Sequence, residues 1–270
     1  MACMSVWRLH TATLFYSLLG LLPGIDLFLD VGSLDGREAF AVEARLPRVK
    51  CIAIEPNPRN IALIQTEIVR RGSRIELETF AAGNENGTTF FYTRIPINAK
   101  NYGASSLLKF AEDSRNDEFS TNKIEVLLRR LDNVDSITSY NKLALWIDVE
   151  GAGYHVLEGL SSILQKVQIV HIEVGTQLCF EGEKLASDII HLMSATGFKL
   201  IGSNLDKNLR RPLGDLVFLR EHSLSPGIIR RAILRAWVIE NFSMHRLARI
   251  VLPPKLYRTG RDWLIQHARA

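Results

Sequence analysis

The chain has 270 residues, of which 47% are hydrophobic and 23% are charged. This composition excludes a mostly disordered or fibrous protein, and the length allows one α/β core with a modest extension. The three cysteines are scattered and form no Cys-x-x-Cys pair, so neither a disulfide framework nor a structural zinc site is expected, and a reducing, cytoplasmic setting is predicted.

The positive charge is concentrated near the end of the chain. Ten of the 33 Lys and Arg residues, but only three of the 29 acids, lie from Arg220 onward. The rest of the chain is close to neutral. A uniform nucleic-acid-binding surface is therefore not indicated, and we expect no nucleic-acid partner.

An apolar run occupies Thr11–Leu22, behind Arg8. It lacks an Ala-x-Ala cleavage site and is shorter than the roughly 20 apolar residues of a membrane span. We expect a helix within residues 5–22 that packs on the domain, in preference to a targeting or membrane-surface segment.

The first half of the chain alternates β-rich runs with helical patterns. Leu27–Val31 is a continuous apolar run that ends at a glycine turn, as expected for a buried parallel strand. The predicted strands are Leu27–Val31, Cys51–Glu55, Ile75–Ala81 and Thr88–Thr93. The predicted helices are Gly36–Arg45 and Asn57–Arg71.

Residues 94–123 are polar and make the longest irregular stretch, which in a compact domain is a functional lid or a disordered segment. Within it, the segment from Gly103 to Ser106 could line an acceptor site or form an ordinary turn.

The second half continues the alternation. Its predicted strands are Ile124–Leu131, Leu143–Val149, Ile169–Val174, Phe198–Ser203 and Asp215–Arg220. Its predicted helices are Tyr154–Leu164 and Lys184–Thr196. This order predicts an α/β fold with a doubly wound, mostly parallel sheet that is Rossmann-like, and the closeness of the last two strands suggests an antiparallel finish.

The character of the chain changes after residue 225. Ile228–Val238 has one apolar helical face with arginines elsewhere, and a second helix is expected around Met244–Val251. We therefore divide the chain into a catalytic domain over 1–225 and a basic amphipathic helical tail over 226–270. Such a tail could touch an anionic membrane surface peripherally, pack on the domain or form a dimer interface.

The loop after the first strand carries the first chemical signal. In open α/β sheets ligands bind beyond the carboxyl ends of the strands, and Gly32 and Gly36 allow close approach of backbone there. Asp35 at the helix start disfavours a dinucleotide pyrophosphate. The acids Asp30 and Asp35 are tolerable beside a sulfonium cofactor with no phosphate. The loop thus favours S-adenosylmethionine, the alternative being a tight turn with capping acids.

Glu55 ends the second predicted strand, 25 residues after Asp30. A carboxylate there can accept hydrogen bonds from both ribose hydroxyls, each worth about 1.5–3 kcal/mol. The alternative is an acid favoured by the dipole of the following helix. With the glycine loop upstream, ribose binding is the preferred interpretation.

Three more acids fall at neighbouring strand ends. Asp148 and Glu150 alternate with apolar residues, so both carboxylates point to one side, and Glu173 ends the next strand. Like charges held this close raise the free energy of the folded protein unless the carboxylates bind a hydroxyl-rich acceptor or a metal, or hydrogen-bond to one another. Helix capping or pairing with Arg is the structural alternative. His155 and His171 are weaker candidates for a base, and His171 is typical of a core histidine.

Taken in order, these segments resemble the FkbM-type methyltransferases over about residues 25–175. The resemblance rests on DVGSLDG, CIAIEPNPRNIALI, AAGNENG, Leu131-Asp132, WIDVEGAGYHVLEGL and VQIVHIE. It implies a class I fold, S-adenosylmethionine as cofactor and methylation of hydroxyl groups on natural products, sugars and glycolipids.

The same resemblance implies that Asp30, Gly32 and Glu55 contact the cofactor. It also implies that the acids of the three neighbouring strand ends lie near the methyl-transfer centre. Two positions depart from the family pattern, because Trp146 stands where the family often has Lys and Gly153 where it often has a second acid.

The sequence therefore predicts an S-adenosylmethionine-dependent O-methyltransferase that acts on a small molecule, glycan or lipid. It assigns no metal ligand and leaves metal dependence open. Asp148 or Glu150 would orient or deprotonate the hydroxyl. Two alternatives stay open: an N-methyltransferase acting on protein or nucleic acid, and a non-catalytic scaffold that reaches a membrane or partner through the basic tail.

Overall fold

The computed structural model describes residues 11–96, 103, 105–111, 119–206 and 211–241. The helices are α1 Thr11–Leu19, α2 Arg37–Arg45, α3 Pro58–Arg71, α4 Asp135–Thr138, α5 Gly153–Glu158, α6 Ala186–Ala195 and α7 Pro226–Asn241. The strands are β1 Leu27–Val31, β2 Lys50–Ile54, β3 Glu76–Glu78, β4 Ala81–Ala82, β5 Gly87–Pro96, β6 Phe119–Arg129, β7 Leu143–Ile147, β8 Val167–Gly175, β9 Phe198–Ser203 and β10 Leu213–Arg220.

Seven strands form one sheet in the order β3-β2-β1-β7-β8-β10-β9. The pairs among β3, β2, β1, β7 and β8 are all parallel, whereas β10 runs antiparallel to both β8 and β9. The doubly wound, mostly parallel sheet and its antiparallel finish are therefore confirmed. This arrangement brings the ends of β1, β2, β7 and β8 to one edge.

The side chains of β1 explain how the sheet is covered on both faces. All five residues are buried, and alternate ones point to opposite sides. Leu27, Leu29 and Val31 join a core that contains residues of α5 and α6. Phe28 points to the other face, where its ring lies 6.2 Å from that of Phe15 in α1.

Helix α1 is shorter than the predicted 5–22. It ends at Leu19, and Pro23 explains why the helix does not continue, because proline lacks an N–H and disfavours helical backbone in the residue before it. Leu14, Phe15 and Leu18 are fully buried, so α1 packs on the sheet as expected. Residues 5–10 lie outside the described residues.

The single strand predicted over Ile75–Ala81 is wrong, because the chain changes sheets within it. Residues 76–78 pair with β2, but residues 81–82 pair with β6 in a second sheet of order β4-β6-β5. Between the two short strands the Phe80 side chain is buried in the core. Burial of that ring fixes the turn that separates β3 from β4.

The β5/β6 hairpin is longer than the predicted strands Thr88–Thr93 and Ile124–Leu131. Its antiparallel ladder runs through ten residue pairs, from Gly87 with Leu128 to Pro96 with Phe119. Backbone hydrogen bonds do not require apolar side chains, so the ladder continues into the polar segment that was predicted to be irregular. Leu131 itself lies in a short 3₁₀ helix.

Helix α5 ends at Glu158 and not at the predicted Leu164. The next residue, Gly159, packs so tightly that a Cβ there would lie 1.9 Å from the carbonyl oxygen of Gly83. Its own carbonyl accepts a hydrogen bond from the Asp132 amide. These contacts redirect the chain into turns and a second short 3₁₀ helix.

The chain divides into two compact units, Met1–Leu224 and Ser225–Ala270. In the second unit, helix α7 has buried Ala232 and Ala236 and exposed Arg230, Arg231 and Arg235, as its amphipathic pattern predicts. The helix predicted around 244–251 lies outside the described residues. Among the helices described, none is long and apolar enough to cross a membrane.

Candidate active site

A cavity opens at the carboxyl ends of β1, β2 and β7, with about 480 Å³ of space between its wall atoms that includes open solvent. Its walls are Val31, Gly32, Leu34, Ile54, Glu55, Pro56, Asn60, Phe80, Ala81, Ala82, Phe91, Gly103, Ser105, Leu107, Asp148 and Val149. The predicted residues Gly32, Glu55 and Asp148 are among them.

Gly32 is the tightest point of the loop after β1. Its φ is +80°, and a Cβ there would lie only 1.8 Å from the carbonyl oxygen of Asp148. The Asp148 amide in turn donates to the Val31 carbonyl at 2.9 Å. The absence of a side chain at Gly32 therefore brings the loop after β1 against the residue that follows β7.

Asp30 lies beneath this loop and does not line the cavity. It is 1% exposed, accepts hydrogen bonds from the Ser33 hydroxyl at 2.6 Å and the Ala39 amide at 3.1 Å, and burial raises its pKa to about 8. Gly36 also lies off the cavity, where a Cβ would meet the Phe40 ring at 2.7 Å. Cofactor contact by either residue stays a prediction, and both shape the loop.

Glu55 is buried at the end of β2 and faces the cavity. Its carboxylate accepts hydrogen bonds from the amides of Leu34 at 2.9 Å and Asn57 at 2.8 Å. Leu34 reaches this position with left-handed backbone, at φ +53°. Burial raises the pKa of Glu55, whereas these hydrogen bonds and one from the Asn60 side chain oppose the rise.

Asn60 is a site residue that the sequence reasoning missed. It is 3% exposed and lines the cavity, and its Oδ1 atom has no hydrogen-bond partner among the described residues. A buried acceptor without a donor costs about 1–3 kcal/mol, so the cavity fits a ligand that offers an N–H or O–H there. The available signal was a polar residue in the first turn of the helix that follows Glu55.

The three predicted acids come together, and Asp148 among them also lines the cavity. Carboxylate oxygens of Asp148, Glu150 and Glu173 all lie within 4.8 Å of one another. Asp148 directly follows β7, and Glu173 lies in β8 opposite Asp215 of β10. Three carboxylates at this spacing could also hold a divalent cation, which keeps metal dependence open.

The charges in this cluster oppose one another. Desolvation, followed by repulsion from Asp148, Glu150 and Asp215, raises the pKa of Glu173 well above its ordinary value. Asp148 reaches solvent at the mouth of the cleft, yet surrounding protein and the charge of Asp215 also raise its pKa. The carboxyl groups of Asp148 and Glu173 lie close enough to share a hydrogen bond when one of them is protonated. The pKa of Glu173 is raised more than that of Asp148, so Glu173 is the member of the pair that keeps a proton more readily.

His171 lies on the opposite face of the sheet, among aromatic rings. It stacks on Trp146 at 3.6 Å between centroids, its Nε2 lies 3.1 Å from the Thr11 hydroxyl, and burial lowers its pKa to about 3. The Trp146 ring also stacks on Tyr16 of α1. His171 is therefore a core histidine, and the tryptophan at the family's Lys position packs against α1.

Gly153, which departs from the family pattern, begins helix α5 close to β8. A Cβ at this position would lie 2.9 Å from Cδ1 of Ile172, so the end of that side chain would have to shift. Beside the three predicted acids, Asp215 is a fourth neighbouring carboxylate. The sequence did not indicate Asp215, because its position depends on the antiparallel register of β10.

The strand order, the glycine loop, the acid at the end of β2 and the acidic cluster define a class I methyltransferase. The model of the methyltransferase FkbM domain matches residues 30–200. The chain belongs to the FkbM methyltransferase family and is a methyltransferase enzyme.

One curated relative shows low sequence identity to this chain. The chain is 27% identical over 184 residues to the 2-O-methyltransferase NoeI of Sinorhizobium fredii (strain NBRC 101917 / NGR234), covering 65% of this chain and 73% of that protein.

Two solved structures resemble the fold. A putative tRNA (m1A22) methyltransferase, Sp1610 of Streptococcus pneumoniae, is 11% identical, with 92% and 93% of the two chains covered and a TM-score of 0.41. TrmK of M. capricolum, solved with S-adenosyl-homocysteine, is 9% identical, with 94% and 96% covered and a TM-score of 0.39.

Proposed function

We propose that this enzyme transfers a methyl group from S-adenosylmethionine to a hydroxyl group of a sugar, glycolipid or related natural product. The observation that carries the proposal is the position of Asp148. This residue lines the cavity that contains Glu55 and also belongs to the acidic cluster. A cofactor held in the cavity would thus have its reactive end beside a carboxylate pair.

The cavity residues fit S-adenosylmethionine. Glu55 offers acceptor oxygens for ribose hydroxyls, and the unpartnered Oδ1 of Asn60 offers another acceptor to a ligand N–H or O–H. Phe80 and Leu107 contribute apolar surface suited to a purine ring. The loop at Gly32 supplies backbone without side-chain bulk.

When bound, the cofactor supplies a methyl group on a sulfonium sulfur, which leaves with the electron pair of the broken S–C bond. The protein therefore has to position the acceptor oxygen, exclude water and take one proton. In our mechanism Asp148 is the ionised member of the pair, accepts the hydroxyl proton as the O–C bond forms, and becomes neutral. Glu173 keeps the shared proton and orients Asp148 through their hydrogen bond.

An oxygen acceptor suits this site better than an amine. A carboxylate pair that already holds a proton can accept hydrogen bonds from neighbouring hydroxyls of a polyol and take the proton that a reacting hydroxyl loses. The relative named a 2-O-methyltransferase supports the same chemistry. The sequence Asp148-Val149-Glu150-Gly151 also differs from the Asn/Asp-Pro-Pro-Tyr pattern of many amine-methylating enzymes.

The acceptor class is testable with deuteromethyl S-adenosylmethionine. The purified chain is incubated with methyl glycosides, oligosaccharides and glycolipids, and with a histone peptide and tRNA as nitrogen acceptors. We expect a mass increase of about 17, for CD₃ replacing hydrogen, on a hydroxyl compound only, with fragmentation locating the label on oxygen. Label confined to nitrogen, or cofactor binding without transfer to any of these acceptors, would contradict the proposal.

A further inference from the structure

Residues 105–111 form a bridging segment across the edge of the site. At one end, Ser106 exchanges two backbone hydrogen bonds with Tyr92 of β5, at 2.8 and 3.0 Å. At the other end, Phe110 pairs with Phe180 beyond β8, and the Ala111 amide donates to the Cys179 carbonyl at 3.0 Å. The segment therefore links the hairpin to the loop that follows β8.

Ser106 also ties this segment to the turn that carries Glu150. Its side chain is completely buried, and its hydroxyl donates to the Glu150 carbonyl at 2.6 Å. The same oxygen accepts from the Leu108 amide at 3.0 Å, which orients the hydroxyl proton toward the carbonyl. Both hydrogen-bonding roles of the hydroxyl are thus used within the site.

The backbone that Ser106 holds is in a conformation that glutamate adopts at a cost. Glu150 has φ +50°, in the left-handed region, which costs an ordinary residue about 1–2 kcal/mol. The next residue, Gly151, has φ +84°, and the Phe180 ring lies 2.5 Å from where its Cβ would be. The turn is therefore held by Ser106 at one end of the bridging segment and by the Phe110–Phe180 pair at the other.

We propose that Ser106 is a positioning residue that holds the Glu150 turn in its left-handed conformation, so that the Glu150 carboxylate joins Asp148 and Glu173 at the methyl-transfer centre. This inference rests on the proposed function for its catalytic consequence. Its structural part, the coupling of the bridging segment to the Glu150 turn, stands on the hydrogen bonds alone. Each part needs its own measurement.

The structural part is tested by amide hydrogen exchange on the full chain, without any acceptor. Ser106→Ala should speed exchange in peptides that cover 105–111 and in peptides that cover 148–152 together, whereas Ser106→Thr, which keeps the hydroxyl, should speed it less. Thr93→Val is the control, because it removes a buried hydroxyl of β5 that donates to the Asn122 carbonyl of β6 at 3.4 Å. Unchanged exchange over 148–152 in Ser106→Ala would overturn the coupling.

The catalytic part is tested by a double-mutant cycle on deuteromethyl transfer to the hydroxyl compound labelled in the acceptor screen. Ser106→Ala should lower kcat by about tenfold to a hundredfold, the cost of misplacing a group by about 1 Å. In a Glu150→Gln background the same change should have little further effect, because the group it positions is gone.

Fully additive effects of the two substitutions would contradict a role through Glu150. So would a Ser106→Ala variant that loses affinity for S-adenosylhomocysteine but keeps the kcat of the wild type, since that result would place Ser106 on the cofactor side. If the screen finds no acceptor, the exchange experiment still decides whether Ser106 holds the turn.

Discussion

Asp148 connects the two halves of the site, because it lines the cavity and lies against Glu173. We expect Asp148→Asn to lower kcat by about 10²–10⁴-fold, the range for loss of a general base, and to leave affinity for S-adenosylhomocysteine nearly unchanged. The control is Asp135→Asn, which changes an exposed aspartate outside the cavity. Full activity of Asp148→Asn would remove this residue from the mechanism.

The same pair predicts a pH dependence of the transfer rate. Desolvation and neighbouring acids raise the pKa of both Asp148 and Glu173, so ionisation of the base occurs above the ordinary carboxyl range. The rate should rise with pH through an apparent pKa that belongs to the pair. The charge of Glu150 raises the pKa of Glu173. Glu150→Gln should therefore move the rising part of the pH–rate profile to lower pH. A rise in rate centred on the ordinary aspartate pKa in the wild type would contradict the proposed role of the pair.

His171 predicts a pH dependence of stability. Its pKa is lowered to about 3 by burial, so the folded protein binds fewer protons than the unfolded chain, whose histidine titrates near pH 6.5. The part of the free energy of unfolding that depends on a neutral His171 is fully present above pH 6.5. It falls by about 1.4 kcal/mol per pH unit as the pH drops toward 3. His171→Phe should show a shallower loss of the free energy of unfolding between pH 6.5 and 4.5 in urea titrations. An unchanged slope would place a charged, hydrated histidine there.

At this scale the sequence predicted the acids and missed their neighbours. Asp148 and Glu173 could be placed together because carboxyl ends of adjacent parallel strands meet at one edge. Asn60 and Asp215 could not, because each depends on how distant segments pack, namely a helix turn over the cavity and the register of β10. Ser106 was named only within a segment that could line the acceptor site or form a turn, and its hydrogen bond to Glu150 was not predicted. No spacing along the chain reports those contacts.

Among the elements, the end of helix α5 and the end of β4 meet at a contact between two glycines, Gly159 and Gly83. A Cβ on Gly159 would lie 1.9 Å from the Gly83 carbonyl oxygen, so the backbone would have to move. We expect Gly159→Ala to lower the free energy of unfolding by about 1–3 kcal/mol or more. Gly20→Ala is the control, since its nearest neighbour, the Tyr16 carbonyl oxygen, would lie 3.7 Å away. Equal urea midpoints for both variants would contradict this contact.

The sequence predicted the order and type of the elements better than their ends. Buried strands such as β1 and β7 show as continuous apolar runs, and their boundaries agree with the structure within two residues. The β5/β6 hairpin extends through polar residues because its ladder is made by backbone groups. The division between β3 and β4 depends on burial of the Phe80 side chain in the core. Local strand propensity does not predict which side chains become buried by tertiary packing.

For the whole molecule, the basic helix α7 presents exposed Arg230, Arg231 and Arg235. We propose peripheral contact with an anionic membrane, where each basic residue contributes about 1 kcal/mol. Replacing these three arginines with glutamate should abolish cosedimentation of the full chain with vesicles of phosphatidylserine and phosphatidylcholine. Neutral phosphatidylcholine vesicles serve as the control. Absence of wild-type cosedimentation with the anionic vesicles at low salt would contradict membrane contact.

The central claim is that the cavity at the end of β2 holds S-adenosylmethionine through Glu55. Calorimetric titration with S-adenosylhomocysteine tests it most directly. We predict binding by the wild type, a loss of about tenfold or more in Glu55→Gln, which corresponds to one charge-assisted hydrogen bond, and no loss in the exposed control Glu125→Gln. Absence of binding by the folded wild type, or equal affinity in Glu55→Gln, would contradict the account.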